Sequence, residues 1–203
     1  MEFSENEKQN VLLTKMALKI KLSDLYMTTE KLSNSFKQGW YLSGGAIGSL
    51  LRKEVPNDYD VYFITEEAGA VVANVYTNDL SYKNEVEVVN ENYRDSSNLP
   101  DGRLITENAI TLKTKVQLIT KHYGSPDQIR KTFDFVHCLP WYDPALDKLY
   151  ISKQQYDLCV SKKLLVNNID YITSHRKNKF FEKGQVENIQ PVFPETLVEF
   201  APA

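Results

Sequence analysis

Residues 42–63, LSGGAIGSLLRKEVPNDYDVYF, constrain the fold of this chain more than any other stretch. The apolar run Trp40-Tyr41-Leu42 reads as a short strand and ends in Ser43-Gly44-Gly45. Adjacent glycines permit a tight turn that no side chain obstructs, and residues 46–53 then read as a helix. Pro56-Asn57 marks another turn. Residues 58–65, DYDVYFIT, are rich in β-formers and predict a second strand. Strand, turn, helix and strand in close succession point to an α/β (α+β) domain with a mixed sheet flanked by helices.

The rest of the chain extends that pattern. Val11, Leu18, Leu22, Leu25, Leu32 and Phe36 recur at three-four spacing, so residues 8–37 read as helical. Lys15 and Thr29 interrupt the stripe and leave one helix or two equally open. Residues 66–80 predict a helix and residues 85–90 a strand. A polar loop follows over 90–103. Residues 104–112 and 116–120 read as a strand pair. Ser125-Pro126-Asp127 carries the signals of a helix start: a capping serine, proline at the first position and an early acid. Residues 133–138, FDFVHC, predict a strand. Helices are expected over 153–165 and 171–183, and the proline-bearing tail from residue 187 reads as coil. The implied organisation is an N-terminal helical segment (1–38), a core (39–150), C-terminal helices (151–185) and an extended tail (186–203).

Composition excludes several classes. With 24 basic and 27 acidic residues the net charge is −3, which is not the footprint of a protein that coats nucleic acid. The longest uncharged run, residues 38–51, contains four glycines and is too short for a membrane span, so no membrane association is expected. The start, MEFSENEKQN, lacks the basic and apolar regions of a signal peptide. Cys138 and Cys159 form no CxxC and predict free thiols in a reducing, cytoplasmic compartment. His122, His137 and His175 are not spaced as a metal site and read as structural. There is no GxxxxGK[ST], GxGxxG or GxSxG.

The chemistry suggested by the sequence centres on the glycine turn. A backbone approaching a phosphate closely needs such glycines, with the amides of the next helix directed at the anion. Ser43 either donates to that phosphate or caps the helix. Asp58 and Asp60, at i and i+2 of a strand, share one side, where two carboxylates repel unless a cation lies between them. Asp134, between Phe133 and Phe135, is an acid in an apolar segment and needs a cation or a donor. Three converging carboxylates would hold two divalent ions, one activating an attacking hydroxyl and one stabilising a leaving pyrophosphate. Tyr41, Tyr59, Tyr62 and Tyr123 either stack on a base or pack at the core's edge.

On these residues the chain resembles the polymerase-β-like nucleotidyltransferase superfamily, whose signature is Gly-Gly, a helix and then Asp-x-Asp. Gly44-Gly45 and Asp58-Tyr59-Asp60 are most similar to the corresponding segment of CCA-adding enzymes and bacterial poly(A) polymerases. The resemblance implies a nucleotidyltransferase-type mixed sheet and Asp134 as third carboxylate. It also implies a basic helix, Arg176-Lys177-Asn178-Lys179-Phe180, whose Arg176 and Lys179 contact a triphosphate. Small phage-encoded proteins of this kind are similar in the FDF segment and in Lys183-Gly184. Gly48-Ser49 stand where the CCA-type motif has Arg-Asp, and the long tRNA-holding region is missing.

The expectation is therefore an enzyme that moves an NMP group from an NTP to an acceptor hydroxyl with Mg²⁺ or Mn²⁺, two ions, releasing pyrophosphate. Asp58, Asp60 and Asp134 would bind the metals, and Ser43, Gly44, Gly45, Arg176 and Lys179 the nucleotide. The acceptor is an RNA 3′ end, a protein or a small molecule. The alternative is a catalytically silent binding or structural component, for instance of a phage, meeting a protein partner through its N-terminal helices. If phage-encoded, it would work in the host cytoplasm or in the virion.

Overall fold

Ser4 opens the first helix with a reciprocal cap. Its hydroxyl accepts from the Glu7 amide at 3.4 Å, and the Glu7 carboxylate accepts from the Ser4 amide at 2.8 Å. The computed structural model describes residues 2–32, 39–88, 103–174, 178, 181–182, 186–187 and 198–200. Helix α1 (Glu5–Lys21) ends at Leu22 and α2 (Ser23–Leu32) follows, which resolves the 8–37 stretch into two helices. Val11, Leu18, Leu22 and Leu25 of the expected stripe are buried, and Leu32 is half-buried; Phe36 lies outside the described residues. The two polar residues on that stripe are also buried and are satisfied there. The Lys15 ammonium lies 3.5 Å from Asp147, and Thr29 accepts from the Trp40 indole at 3.1 Å.

Strand β1 (Trp40–Ser43), helix α3 (Gly45–Leu51), strand β2 (Tyr59–Phe63) and helix α4 (Glu66–Asn78) fall where the sequence places them. They are followed by β3 (Ala109–Thr111), β4 (Val116–Tyr123), α5 (Pro126–Arg130), β5 (Trp141–Asp143), β6 (Lys148–Ile151) and α6 (Lys153–Ser161). The short strands β7 (Lys163–Leu164), β8 (Val186–Glu187) and β9 (Val198–Phe200) complete the set. The main sheet has the order β3-β4-β2-β1-β5-β6-β9. While β7 and β8 form a separate parallel pair, within this sheet every pair is antiparallel except β2 and β4, which run parallel. A parallel pair needs a long crossover, and α4 supplies it. The fold is a mixed α+β sheet flanked by helices.

Strand alternation sorts the two faces. Trp40 and Leu42 of β1, Val61 and Phe63 of β2, Leu118 of β4, Tyr142 of β5 and Leu149 of β6 join the main core. Residues of α1, α2, α3, α4 and α6 fill its other side, so the N-terminal helices share that core. The opposite face carries Tyr41, Tyr62 and Trp141 and is covered by Ile129 of α5 and by Phe133.

Four expected elements differ. Residues 133–138 are not a strand. Phe135 makes one bridge to Val166, and Val136–Cys138 form a 3-10 turn. The Asn167 side-chain amide explains this by donating to the carbonyls of Arg130 (3.0 Å) and Phe133 (2.8 Å), which draws the segment away from any sheet. Among the described residues of 85–90 and 104–112, the pairing consists of the bridges Val86–Leu112, Val88–Arg103 and Ile105–Ile110 and the three residues of β3, and residues 89 and 90 lie outside the described residues. The β5–β6 hairpin forms where the sequence announced nothing, and the tail expected as coil contributes β9 to the sheet.

Candidate functional site

The glycine turn is built by close approach. Gly44 has φ +102°, and a Cβ there would lie 3.0 Å from the Asp60 carboxylate oxygen, so turn and strand touch through a missing side chain. The Gly44 amide donates to the Cys138 carbonyl at 3.1 Å. Ser43 is fully buried, and its hydroxyl reaches the Pro140 carbonyl at 2.9 Å and the Cys138 carbonyl at 3.3 Å. Its hydroxyl is thus engaged with the backbone and does not cap α3, whose start has no side-chain cap. It ties β1 to the 138–140 segment.

Beside the turn lies a cleft of about 150 Å³, lined by Gly45, Ser49, Arg52, Glu54, Asp58 and His137 among others. Glu54 organises one wall. It accepts from Arg52 Nε at 2.8 Å and pairs with Lys162 at 2.8 Å. The hydrogen bond from Lys162 is the largest influence on its carboxyl, which is held below its ordinary value despite partial burial; Arg52 adds to the effect. Arg52 Nη1 also donates to the Cys159 carbonyl at 3.0 Å, fastening α3 to α6. Arg52, Ser49 and Glu54 thus bond one another, Lys162 and the backbone, whereas the buried Nδ1 of His137 in the same cleft has no hydrogen-bond partner among the described residues.

The structure brings Asp60 against Gly44 and places Asp58 in the cleft. Asp134 is only 2% exposed and sits in the bend before the 3-10 turn, where its Oδ1 accepts from the Phe135 amide at 3.0 Å. Its carbonyl accepts from the amides of Asn167 (2.8 Å) and Asn168 (3.3 Å). Among the described residues no three carboxylate, imidazole or thiolate side chains are gathered as a metal-holding group. Asp58, Asp60 and Asp134 are thus not gathered into one such group among the described residues. Arg176 and Lys179 lie outside the described residues.

The tyrosines considered for base stacking serve packing. Tyr41 stacks on Tyr62 at 5.8 Å and donates to the Gly124 carbonyl at 3.1 Å. Tyr59 lies under the Lys21 ammonium, 4.9 Å from its ring centre. Tyr123 donates to the Thr120 carbonyl at 2.6 Å and packs over Gly69. The sequence reading did not single out Trp141 and Tyr150, whose rings stack at 4.0 Å across β5 and β6. The aromatic and β-branched residues of Trp141-Tyr142 and Leu149-Tyr150-Ile151, on either side of a turn-prone Asp143-Pro144, were the signal available for that hairpin.

Comparison with known proteins gives one positive finding. The model of the family described as Gabija anti-defense 2 family protein matches residues 6–162. No curated protein and no solved structure matches the chain. The match overturns the polymerase-β-like reading and, with it, the expected NMP transfer and ATP binding, for no comparison indicates a nucleotidyltransferase. The Gly-Gly and Asp-x-Asp residues that suggested it have a packing role, since Gly44 makes room for Asp60. Running from α1 through the last residues of α6, the matched region contains β1 to β6 of the sheet and the glycine turn, so the chain belongs to the Gabija anti-defense 2 family.

Proposed function

We propose that this protein is a phage anti-defence factor that works in the host cytoplasm by binding a protein of the Gabija defence. The observation that carries the reading is the family match over residues 6–162. It agrees with the non-catalytic alternative drawn from the sequence, now with an anti-defence role. Two features support a protein partner. The net charge of −3 gives no electrostatic footprint for a polyanion. Helix α1 turns Leu13, Met16 and Ile20 outward, 51%, 57% and 74% exposed, in a single row at i, i+3 and i+7. No helix among the described residues is long and apolar enough to cross a membrane.

The test is co-expression with a Gabija system in a bacterial host, followed by phage challenge. The expected result is restored plaque formation by orders of magnitude, with a defence protein co-purifying in fixed ratio with the tagged chain. Absence of rescue at verified expression overturns the anti-defence reading. Rescue without a stoichiometric complex overturns binding as the mechanism. A Leu13→Asp/Ile20→Asp variant should keep its thermal midpoint and lose the complex. If it keeps the complex, the α1 face is not the surface used.

A further inference from the structure

A second cavity, of about 260 Å³, lies where α2, the residues after α4 and the β3–β4 turn meet. Its floor is apolar, formed by the buried side chains of Leu25, Leu112 and Val116. Its walls are Tyr76 and Tyr82, edge to face with ring centres 5.9 Å apart. Two exposed carboxylates, Asp24 and Glu85, stand at its mouth. Their charge is felt inside. Burial is the main influence raising the Tyr76 hydroxyl above its ordinary value, and Glu85 and Asp24 push it the same way. Lys21 also borders the cavity, with its ammonium over the Tyr59 ring.

An apolar floor, aromatic walls and a negative rim make one combination of demands on an occupant. It needs methylene groups to cover the floor and a positive head to meet the ring faces and the carboxylates. A neutral polar molecule gains nothing from the two carboxylates, and an anion is repelled by them, a repulsion that the single charge of Lys21, held over the Tyr59 ring, offsets only in part. The geometry points to a pocket for an aliphatic cation, an ammonium or guanidinium on a short hydrocarbon stem. The stem rests on Leu25, Leu112 and Val116, and the head lies between Tyr82 and the carboxylates of Asp24 and Glu85. Such a group comes from two sources: a lysine or arginine side chain of another protein, or a free amine. This inference stands independently of the anti-defence reading, because it concerns a different surface from the outward row of α1.

The test is an amide-resolved NMR titration of the full chain with three probes: butylamine, neutral 1-butanol, and the blocked tripeptide acetyl-Gly-Lys-Gly-amide. Butylamine should give saturable shifts at Tyr82, Glu85 and Thr114, with 1-butanol weaker by roughly fivefold or more, the order expected for one cation–π contact. The surface variant Asp24→Asn/Glu85→Gln should weaken butylamine binding severalfold and leave 1-butanol binding unchanged. Tighter binding of the tripeptide than of butylamine assigns the pocket to a protein side chain, and the reverse assigns it to a free amine. The proposal is overturned if neither cation saturates, if 1-butanol binds as tightly as butylamine, or if the double variant binds butylamine like the native chain.

Discussion

Asp147 holds more of this molecule together than its place in a tight turn, at φ +50°, would suggest. One carboxylate oxygen accepts from the Tyr142 hydroxyl at 2.9 Å. The other lies 3.0 Å from the Lys19 ammonium and 3.5 Å from that of buried Lys15. It thereby joins α1 to the β5–β6 hairpin. Removing a partner strands the buried charge of Lys15, so Asp147→Ala should cost about 3–5 kcal/mol in a denaturant titration. Lys15→Met should cost less, because Asp147 keeps Lys19 and Tyr142. Burial pushes the Asp147 carboxyl up, but the hydrogen bonds from Lys19 and Tyr142 and the charge of Lys15 outweigh it and leave it below its ordinary value. A carboxyl lowered in the folded state stabilises above its unfolded pKa of about 4 and loses that contribution as pH falls through the folded value. Stability measured from pH 6 down to pH 2.5 should therefore decline, and Asp147→Asn should flatten part of the decline. Burial likewise pushes the Cys159 thiol up to about 12, against a small opposing influence from Arg52. Cys138 is buried too. At pH 8 a thiol reagent should label neither cysteine in the native protein and both once it is unfolded.

At the scale of elements, two glycines set how closely pieces meet. Gly44→Ala would place a methyl group against Asp60 at a backbone angle that L residues avoid, and should destabilise by about 1–3 kcal/mol. Gly69 lies inside α4, where alanine favours the helix by about 1 kcal/mol. A Cβ there would come within 2.5 Å of the Tyr123 ring, so Gly69→Ala should nevertheless lower the thermal midpoint. In a Tyr123→Ala background the same change should become neutral or stabilising, which a double-mutant cycle would reveal. The elements that the sequence made legible are those with local causes: Ser125 with its reciprocal cap, the Gly44 turn, and the β-branched and aromatic run of β2. The FDF segment misled because its conformation is decided at a distance, by Asn167 drawing in the carbonyls of Arg130 and Phe133. Strand β5 was hidden between Pro140 and Pro144, although Trp141-Tyr142 and Leu149-Tyr150-Ile151 are residue types that strands favour.

Across the whole molecule, the sheet's two faces do different work. One packs on α1, α2, α3, α4 and α6 as the main core. The other bears Tyr41, Tyr62 and Trp141 under a short helix and a loop. The mixed sheet was legible from strand–helix alternation, but the function was not. A glycine pair ahead of two aspartates describes how a turn packs on a strand as well as it describes a catalytic centre, and a fold does not fix a function. The family match, which spans most of the chain, carries the information that a handful of motif residues did not.

The buried hydroxyl of Ser43 has one further consequence, for the order in which the chain becomes structured. It binds the Pro140 carbonyl, 97 positions away in sequence, and Ser43 pairs with Trp141 across the middle of the sheet. Because β1 lies between β2 and β5, its second edge stays open until residues 141–143 have left the ribosome. Closing so long a loop before any reward arrives makes folding slow and cooperative rather than stepwise along the chain. A chain stalled short of that point would present an open strand edge, so the interval of synthesis between the two strands is when the protein is most exposed to chaperones and proteases.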